Sequence, residues 1–238
     1  MLPLPEKAPV FTFLLVNLFK INTRMTKLAQ ALFFTLALMT LTTQCSSDPA
    51  LSLTIPNEGF ELVQQLPSQN EARMQNALYQ PARAITKREM ASTALRTLVD
   101  SMYAVMLQNE GVGIAANQLG KRLQIFIIEA KAHNARYRVL GAVPKQVFLI
   151  PRITKVSKER SNFWHGCLRT QGEKRGNVAT YNWIEYESFT LEGDIQKGRL
   201  EGFGAVIFQH EFRHLLGGTY LDHAQHLVSK ENLDAKIE

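Results

Sequence analysis

Residues 205–216 read AVIFQHEFRHLL, an apolar segment with two histidines four positions apart and a glutamate directly after the first. On a helix, residues four apart lie on one face, so both imidazoles can reach one metal ion. Apolar residues flank the motif on both sides, and we therefore expect this helix to be buried. Buried histidines with a carboxylate between them predict a metal site, because burying such groups without partners is costly.

The ligands of this predicted site are His210 and His214, and Glu211 lies beside the first of them. A carboxylate in that place can hold and deprotonate a water molecule. A third ligand must come from elsewhere in the chain. In the metzincin pattern a histidine follows six positions after the second one, and here Tyr220 occupies that position. A gluzincin needs a glutamate on a later helix, and the short polar tail leaves little room for one.

The remaining candidate for the third ligand is Cys167, in the stretch WHGCLR at 164–169. A thiolate is a strong ligand for zinc or iron(II). Taken alone, a single cysteine is better explained as a small buried hydrophobic residue, and only the other motifs of the chain favour a ligand.

A glycine-rich stretch, GVGIAANQLG, occupies residues 111–120. It has neither the glycine order of a dinucleotide-binding fingerprint nor the lysine spacing of a phosphate-binding loop. Its small residues allow a ligand to approach the backbone closely, and the amide of Gln118 can donate to a developing oxyanion. A tight connection between a helix and a strand is the alternative interpretation.

The rest of the sequence predicts one α+β domain over residues 48–238. Apolar residues at three-and-four spacing predict an amphipathic helix over 87–108. Gly217 and Gly218 are expected to end the histidine-bearing helix. Short strands are expected at 124–129, 146–150, 181–190 and 198–201.

Composition narrows the classes of function. The 238 residues are 45% hydrophobic, which is enough for a buried core, and the two cysteines form no disulfide framework. The net charge is +6, but residues 1–47 hold four basic residues against one acidic residue and so account for half of it. The other basic residues are scattered, and nucleic acid is therefore not an expected partner.

Residues 1–47 are predicted to be a separate signal-like or anchor-like extension. Its apolar stretches, at 10–19 and 28–41, are shorter than a membrane-spanning helix. The second is followed by Cys45, as in a bacterial lipoprotein signal, although Gln44 stands where that signal has a small residue. We expect export or membrane anchoring on the periplasmic side, through this segment or through Cys45. A cytoplasmic location follows if the start of the chain is mis-assigned.

The three motifs together resemble the peptide deformylase family. That family carries a G-x-G-x-A-A-x-Q loop, an E-G-C-L-S element and a Q-H-E-x-D-H helix, which correspond here to residues 111–118, 165–169 and 209–214. Order and spacing also fit, and the similarity covers roughly residues 60–225. The resemblance implies an α+β fold in which antiparallel sheets surround a central helix that carries the His-Glu motif.

The resemblance also implies a role for each matching residue. Cys167, His210 and His214 would bind one divalent metal ion, iron(II) in most members and zinc(II) in others. Glu211 would act as general base and then as general acid towards the leaving amine.

The substrate implied by the resemblance is a peptide or protein with an N-terminal formyl-methionine, from which the family removes the formyl group. The amide of Gln118 and the backbone N–H of Leu168 would stabilise the oxyanion. Gly113 and Ile114 would hydrogen-bond the peptide or line the site.

Four positions depart from the family pattern. His165 replaces the glutamate before the glycine, Arg169 replaces the serine, Thr180 replaces an arginine and Arg213 replaces the aspartate of the helix motif. Residues that orient metal ligands tune a metal site. Two alternatives therefore stay open: a divergent metal-dependent amidase acting on another acyl-peptide, and a non-catalytic metal- or peptide-binding homologue.

Overall fold

The computed structural model describes residues 60–66, 70–134, 140–168 and 174–237. The predicted extension over residues 1–47, its Cys45, and Arg169 lie outside the described residues. Among the helices of the described part, none is long and apolar enough to cross a membrane.

The described residues form four α-helices and eight β-strands. The helices are α1 (Lys87–Met90), α2 (Thr93–Gln108), α3 (Gly202–Leu215) and α4 (Lys230–Ile237). The strands are β1 (Gly113–Ala115), β2 (Ile125–Ala130), β3 (Val143–Val156), β4 (Arg160–His165), β5 (Lys174–Tyr181), β6 (Trp183–Phe189), β7 (Ile195–Glu201) and β8 (His226–Ser229). Short 3-10 turns lie at Glu71–Gln75, Ala77–Tyr79, Ala116–Leu119 and Tyr220–Asp222.

The strands pair into two antiparallel sheets, with the orders β1-β2-β3-β6-β7 and β4-β5-β8. Strands β1 and β4 are each an edge of their sheet. An edge strand presents backbone N–H and C=O groups that can pair with another chain. The predicted α+β class with antiparallel sheets is confirmed.

Helix α3 packs against strands of both sheets. Its Phe208 lies edge-on against Phe126 of β2 and Phe148 of β3, with ring centroids 4.9 and 5.0 Å apart. Buried aromatic contacts of this kind contribute strongly to a core, so they hold the helix against the larger sheet. The prediction of a central helix carrying the His-Glu motif is confirmed.

The amphipathic helix predicted over 87–108 is present but divided into α1 and α2. Ser92 lies between them, and its side chain accepts a hydrogen bond from the N–H of Leu95, which starts a new helix there. The apolar face of α2 is buried as its spacing predicts. It packs with Ile114, Ile125 and Ile127 into a core region on the other side of β1 and β2 from α3.

The four predicted strands are present with shifted bounds, as β2, β3, β6 and β7. Strands β1, β4, β5 and β8 were not predicted from the sequence. In β4 only His165 is fully buried, so the strand lacks the alternation of apolar and polar residues that marks a strand in a sequence.

Candidate metal centre and cavity

A cavity lies where the three sequence motifs meet. Its walls come from β1 and the turn after it, from the end of β4 and the residues that follow, and from one face of α3. The lining residues are Val112, Gly113, Gln118, Trp164, His165, Gly166, Cys167, Leu168, Phe203, Val206, Ile207, His210 and Glu211. Most of the predicted site residues therefore share one cavity.

The three predicted metal ligands converge beside this cavity. Cys167, His210 and His214 are buried, and the cysteine Sγ and histidine ring nitrogens lie within 4.8 Å of one another. The Sγ of Cys167 is 3.4 Å from Nε2 of His214. One sulfur and two imidazole nitrogens suit zinc or iron(II), and three protein ligands leave a further position for water or substrate. These residues therefore fit one divalent metal ion.

His214 is oriented by the backbone. Its Nδ1 lies 3.0 Å from the carbonyl oxygen of Gly218. Because a carbonyl only accepts hydrogen bonds, Nδ1 carries the hydrogen and Nε2 is left with a lone pair beside Cys167. The chain turns back at Gly217, whose φ of 79° is readily adopted only by glycine. The predicted helix end at these two glycines is confirmed.

His210 is oriented by side chains. Its Nδ1 lies 3.1 Å from Nδ1 of His165, and Nε2 of His165 lies 3.1 Å from Oγ1 of Thr180. The two imidazole planes differ by 17° and their centroids are 5.3 Å apart, much further than the bonded nitrogens, so the rings meet edge to edge. Two of the four positions that depart from the family pattern thus support a metal ligand.

The histidines of the site are held neutral. Burial, followed by the positive charge of Arg213, lowers the pKa of His165 to about 3. Burial lowers the pKa of His214 to about 4. Burial also lowers the pKa of His210 well below its ordinary value, helped by the neighbouring histidines and Arg213. Neutral imidazole is the form that binds a metal ion.

Glu211 is fully enclosed, and burial raises the pKa of its carboxyl group well above the ordinary value. Its Oε2 has no hydrogen-bond partner among the described residues, while the residue lines the cavity. A carboxyl group with a raised pKa is a stronger base than an ordinary carboxylate and a candidate for proton transfer. The side chain packs against Gly113, where an added Cβ would lie 2.8 Å from Cδ of Glu211.

Gln118 is fixed through both ends of its amide. Its Oε1 accepts a hydrogen bond of 2.7 Å from the N–H of Ala115, so its NH2 group must face the other way, where it lies 3.2 Å from Sγ of Cys167. The predicted oxyanion donor therefore lies beside a predicted metal ligand. Leu168 is also buried in the cavity wall.

The next residue towards the N-terminus, Asn117, ties two site segments together. Its Nδ2 donates to the carbonyl oxygens of His214 and Leu78. The turn that holds Gln118 is thus bonded to the C-terminal end of α3.

The two predicted peptide-binding residues of β1, Gly113 and Ile114, face different parts of the structure. The N–H of Glu129 donates to the carbonyl of Val112 over 2.9 Å. In an antiparallel pair the backbone groups of successive residues point alternately towards the partner strand and away from it. The N–H and C=O groups of Ile114 therefore point towards β2, and those of Gly113 point away from it. Gly113 lines the cavity, whereas the Ile114 side chain is fully buried in the core beside α2.

Several cavity residues were not identified from the sequence. Val112 precedes Gly113 on the edge of the sheet, and Trp164 stands at the mouth with 37% of its surface exposed. Three residues of α3 form an apolar wall of the cavity: Phe203, Val206 and Ile207. They precede His210 by seven, four and three positions and so share its helix face, which the sequence alone could have shown.

Arg213, a further departure from the family pattern, is half-buried on α3. Burial lowers the pKa of its guanidinium, and its Nη1 has no hydrogen-bond partner among the described residues. The carboxylate of Asp222 acts in the opposite direction on that pKa but is itself bonded to Arg73 over 2.7 Å. A largely uncompensated positive charge therefore lies near the three site histidines.

The fold and the site define a class of protein: a cysteine and two histidines around a cavity, with a buried glutamate beside them, form the donor and base set of a metal-dependent hydrolase. The profile of one family, polypeptide deformylase, matches residues 71–230. That match covers more than half of the chain.

Relatives and solved structures agree with this match. The chain is 32% identical to a peptide deformylase of Leptospira biflexa over 149 residues, covering 61% of this chain and 80% of the relative. It is 39% identical to peptide deformylase 1 of Bordetella pertussis over 126 residues, covering 53% and 70%. A class I type b peptide deformylase from Acinetobacter baumannii matches with a TM-score of 0.62 and 28% identity, covering 69% of this chain and 98% of that chain.

The chain belongs to the peptide deformylase family. It is a metallohydrolase that removes the formyl group from N-terminal formyl-methionine of peptides.

Proposed function

We propose that deformylation by this chain uses Cys167, His210 and His214 to hold one divalent metal ion and Glu211 to move the proton. The observation that carries the proposal is the combination of a buried thiol and two neutral imidazoles with a buried carboxyl group at one cavity. When bound, a divalent ion supplies Lewis-acid chemistry and lowers the pKa of a water molecule.

Glu211 is the proton carrier in this proposal. Its carboxylate takes a proton from the attacking water and delivers it to the amine that leaves when the formyl group is removed. The raised pKa of the carboxyl group supports both steps, because a carboxylate with a raised pKa is a stronger base and holds the proton until it is passed to the leaving amine.

Gln118 and Leu168 supply the oxyanion donors. The amide of Gln118 is already oriented by its bond to Ala115, so no reorganisation is needed when charge develops on the formyl oxygen. The backbone N–H of Leu168, next to the ligand Cys167, is the second donor.

The methionine side chain fits the apolar wall of the cavity. Phe203, Val206 and Ile207 offer a surface suited to an unbranched apolar side chain. The outward backbone groups of Gly113 can pair with an extended peptide, as an edge strand does with an added strand. The similar Acinetobacter baumannii deformylase binds Met-Ala-Ser, which supports a peptide that begins with methionine as the ligand.

Iron(II) is the proposed ion, with zinc(II) as the alternative. The donor set suits both, and the resemblance to the family favours iron. Metal analysis after anaerobic purification distinguishes them, and loss of activity in air that iron(II) restores is expected for the iron form.

We also propose that the protein is exported or anchored at the periplasmic side. The support is the apolar stretch at 28–41 followed by Cys45. Its substrates would then be formylated peptides outside the cytoplasm and not nascent chains. Cell fractionation with mass analysis of the mature N-terminus tests this, and an unmodified chain in the cytoplasmic fraction would overturn it.

Formate release from formyl-Met-Ala-Ser by the anaerobic, iron(II)-loaded protein tests the reaction. Steady turnover that is lost in Glu211→Gln supports deformylation by the proposed residues. The changes at His165, Thr180 and Arg213 favour a second candidate, a related amidase with another acyl substrate. That candidate predicts cleavage of acyl-peptides other than formyl-peptides, and peptide binding without any turnover would indicate a non-catalytic homologue.

A further inference from the structure

Three side chains form a hydrogen-bonded line that ends on a metal ligand. Oγ1 of Thr180 donates to the carbonyl oxygen of Val178 over 3.1 Å. The same oxygen lies 3.1 Å from Nε2 of His165, whose Nδ1 lies 3.1 Å from Nδ1 of His210. Thr180 and His165 are 2% and 3% exposed, so water does not compete for these bonds.

The direction of each bond follows from the chemistry of its atoms. A carbonyl oxygen can only accept, so the Thr180 hydroxyl hydrogen is directed at Val178 and the hydroxyl oxygen accepts from His165. Nε2 of His165 therefore carries the hydrogen of this neutral imidazole, and its Nδ1 has a lone pair. That lone pair accepts from Nδ1 of His210, which leaves Nε2 of His210 unprotonated.

We infer that His165 and Thr180 are positioning residues, which together fix the tautomer and the ring direction of His210 so that its Nε2 lone pair is presented to the metal ion. Thr180 does not line the cavity and acts only through His165. The inference rests on the metal site of the proposed function and concerns how one of its ligands is prepared.

The two positions depend on each other. A side chain that only donates, such as arginine, at position 180 would require Nε2 of His165 to accept. Nδ1 of His165 would then carry the hydrogen and donate to His210, whose Nε2 would be protonated and unable to bind a metal ion. His165 therefore needs an acceptor such as the threonine hydroxyl at position 180.

Thr180→Val and Thr180→Ser form a matched pair for testing this inference. Valine keeps the shape and removes the acceptor, whereas serine keeps the hydroxyl. Zinc(II) affinity, measured by competition with a chromophoric chelator, is expected to fall about 5-fold in Thr180→Val, the loss of one neutral hydrogen bond, and to stay within about 2-fold in Thr180→Ser. His165→Phe is expected to lose about 10–100-fold.

Nitrogen-15 NMR of the histidine rings in the metal-free full chain gives the second readout. The His210 ring is expected as the Nδ1–H tautomer in the wild type and in Thr180→Ser, and as a mixture in Thr180→Val. Equal affinities and equal tautomers in the matched pair would overturn the inference, as would an Nε2–H tautomer in the wild type. If Thr180→Val does not fold by circular dichroism, Thr180→Ala replaces it. Neither measurement uses a substrate, so a failure of deformylation would leave this result intact.

Discussion

The site has an inner group, which holds the predicted metal ligands, proton carrier and oxyanion donor, and an outer group of residues around it. The inner group, formed by Cys167, His210, Glu211, His214 and Gln118, keeps the residue types of the family. In the outer group, formed by His165, Thr180 and Arg213, other residues replace those of the family pattern. The chemistry thus constrains the inner group tightly, whereas the outer group only has to hold its ligands in place, which more than one set of side chains can do.

The two histidines of the predicted metal site illustrate this difference. His214 is oriented by the carbonyl oxygen of Gly218, a partner that side-chain substitution does not remove. His210 is oriented by His165, and so by a side chain that can be exchanged. Substitutions in the outer group can therefore change the orientation of His210 but do not remove the partner that orients His214.

The largest effect is expected for Glu211→Gln, in the inner group. The rate constant kcat should fall by about 10²–10⁴-fold, because the proton carrier is lost. Metal content should be unchanged, since Glu211 is not among the ligands. Formate release and metal analysis measure the two quantities, with Glu192→Gln, an exposed carboxylate, as control. More than a tenth of wild-type activity in Glu211→Gln would remove this residue from its proposed role.

Gly113→Ala should reduce activity by about 100-fold, because the added Cβ would displace the Glu211 carboxyl group and a shift of about 1 Å costs that much in a catalytic site. Gly204→Ala is the matched control: the nearest neighbours of its Cβ would be Leu200 and Val143, at ordinary contact distances. Equal activities in the two variants would show that the carboxyl group is not held by this contact.

Arg213→Met, in the outer group, should tighten zinc(II) binding by about 3-fold. Removing a half-buried positive charge near the histidines lowers the electrostatic cost of a bound cation. The chelator competition measures this, and Arg96→Met, at an exposed arginine, is the control. Weaker binding in Arg213→Met would mean that the guanidinium supports the ligands and does not oppose the ion.

Glu89→Gln lies outside both groups and should leave kcat unchanged while lowering the free energy of unfolding by about 1.5–3 kcal/mol at pH 7, the value for hydrogen bonds to a charged group. The hydrogen bonds from Arg83 lower the pKa of Glu89 to about 2 from 4.5. This stabilisation is therefore present above about pH 4.5 and is lost as the pH falls towards 2. Urea denaturation of both proteins should give curves that converge over that range, and a constant difference would exclude the ion pair as its source.

The inner group could be predicted from the sequence because its signals are local. His210 and His214 are four positions apart on one helix, and the motifs around Gln118 and Cys167 are short and ordered. The central helix and the α+β class follow from the same segments. Whether each residue performs its predicted role stays a prediction for the variants above.

The smaller sheet and the outer group could not be predicted in the same way. The buried positions of β4 and β5 include polar side chains such as His165, Arg175 and Thr180, so neither strand shows an apolar alternation. The partnership of His165 with Thr180 depends on strand pairing across 15 positions. The separation of Gly113 from Ile114 likewise depends on the register of β1 against β2.

The hydrogen bonds of Asn117 bear on how substitution at this position affects the protein. Its amide bonds both to Leu78, in the lead-in segment, and to the carbonyl of the predicted ligand His214, while the next residue, Gln118, is the predicted oxyanion donor. Two parts of the site are thus linked through one small side chain that touches no substrate. The family motif leaves position 117 open, so this link is a feature of the asparagine side chain present here and not a requirement of the reaction.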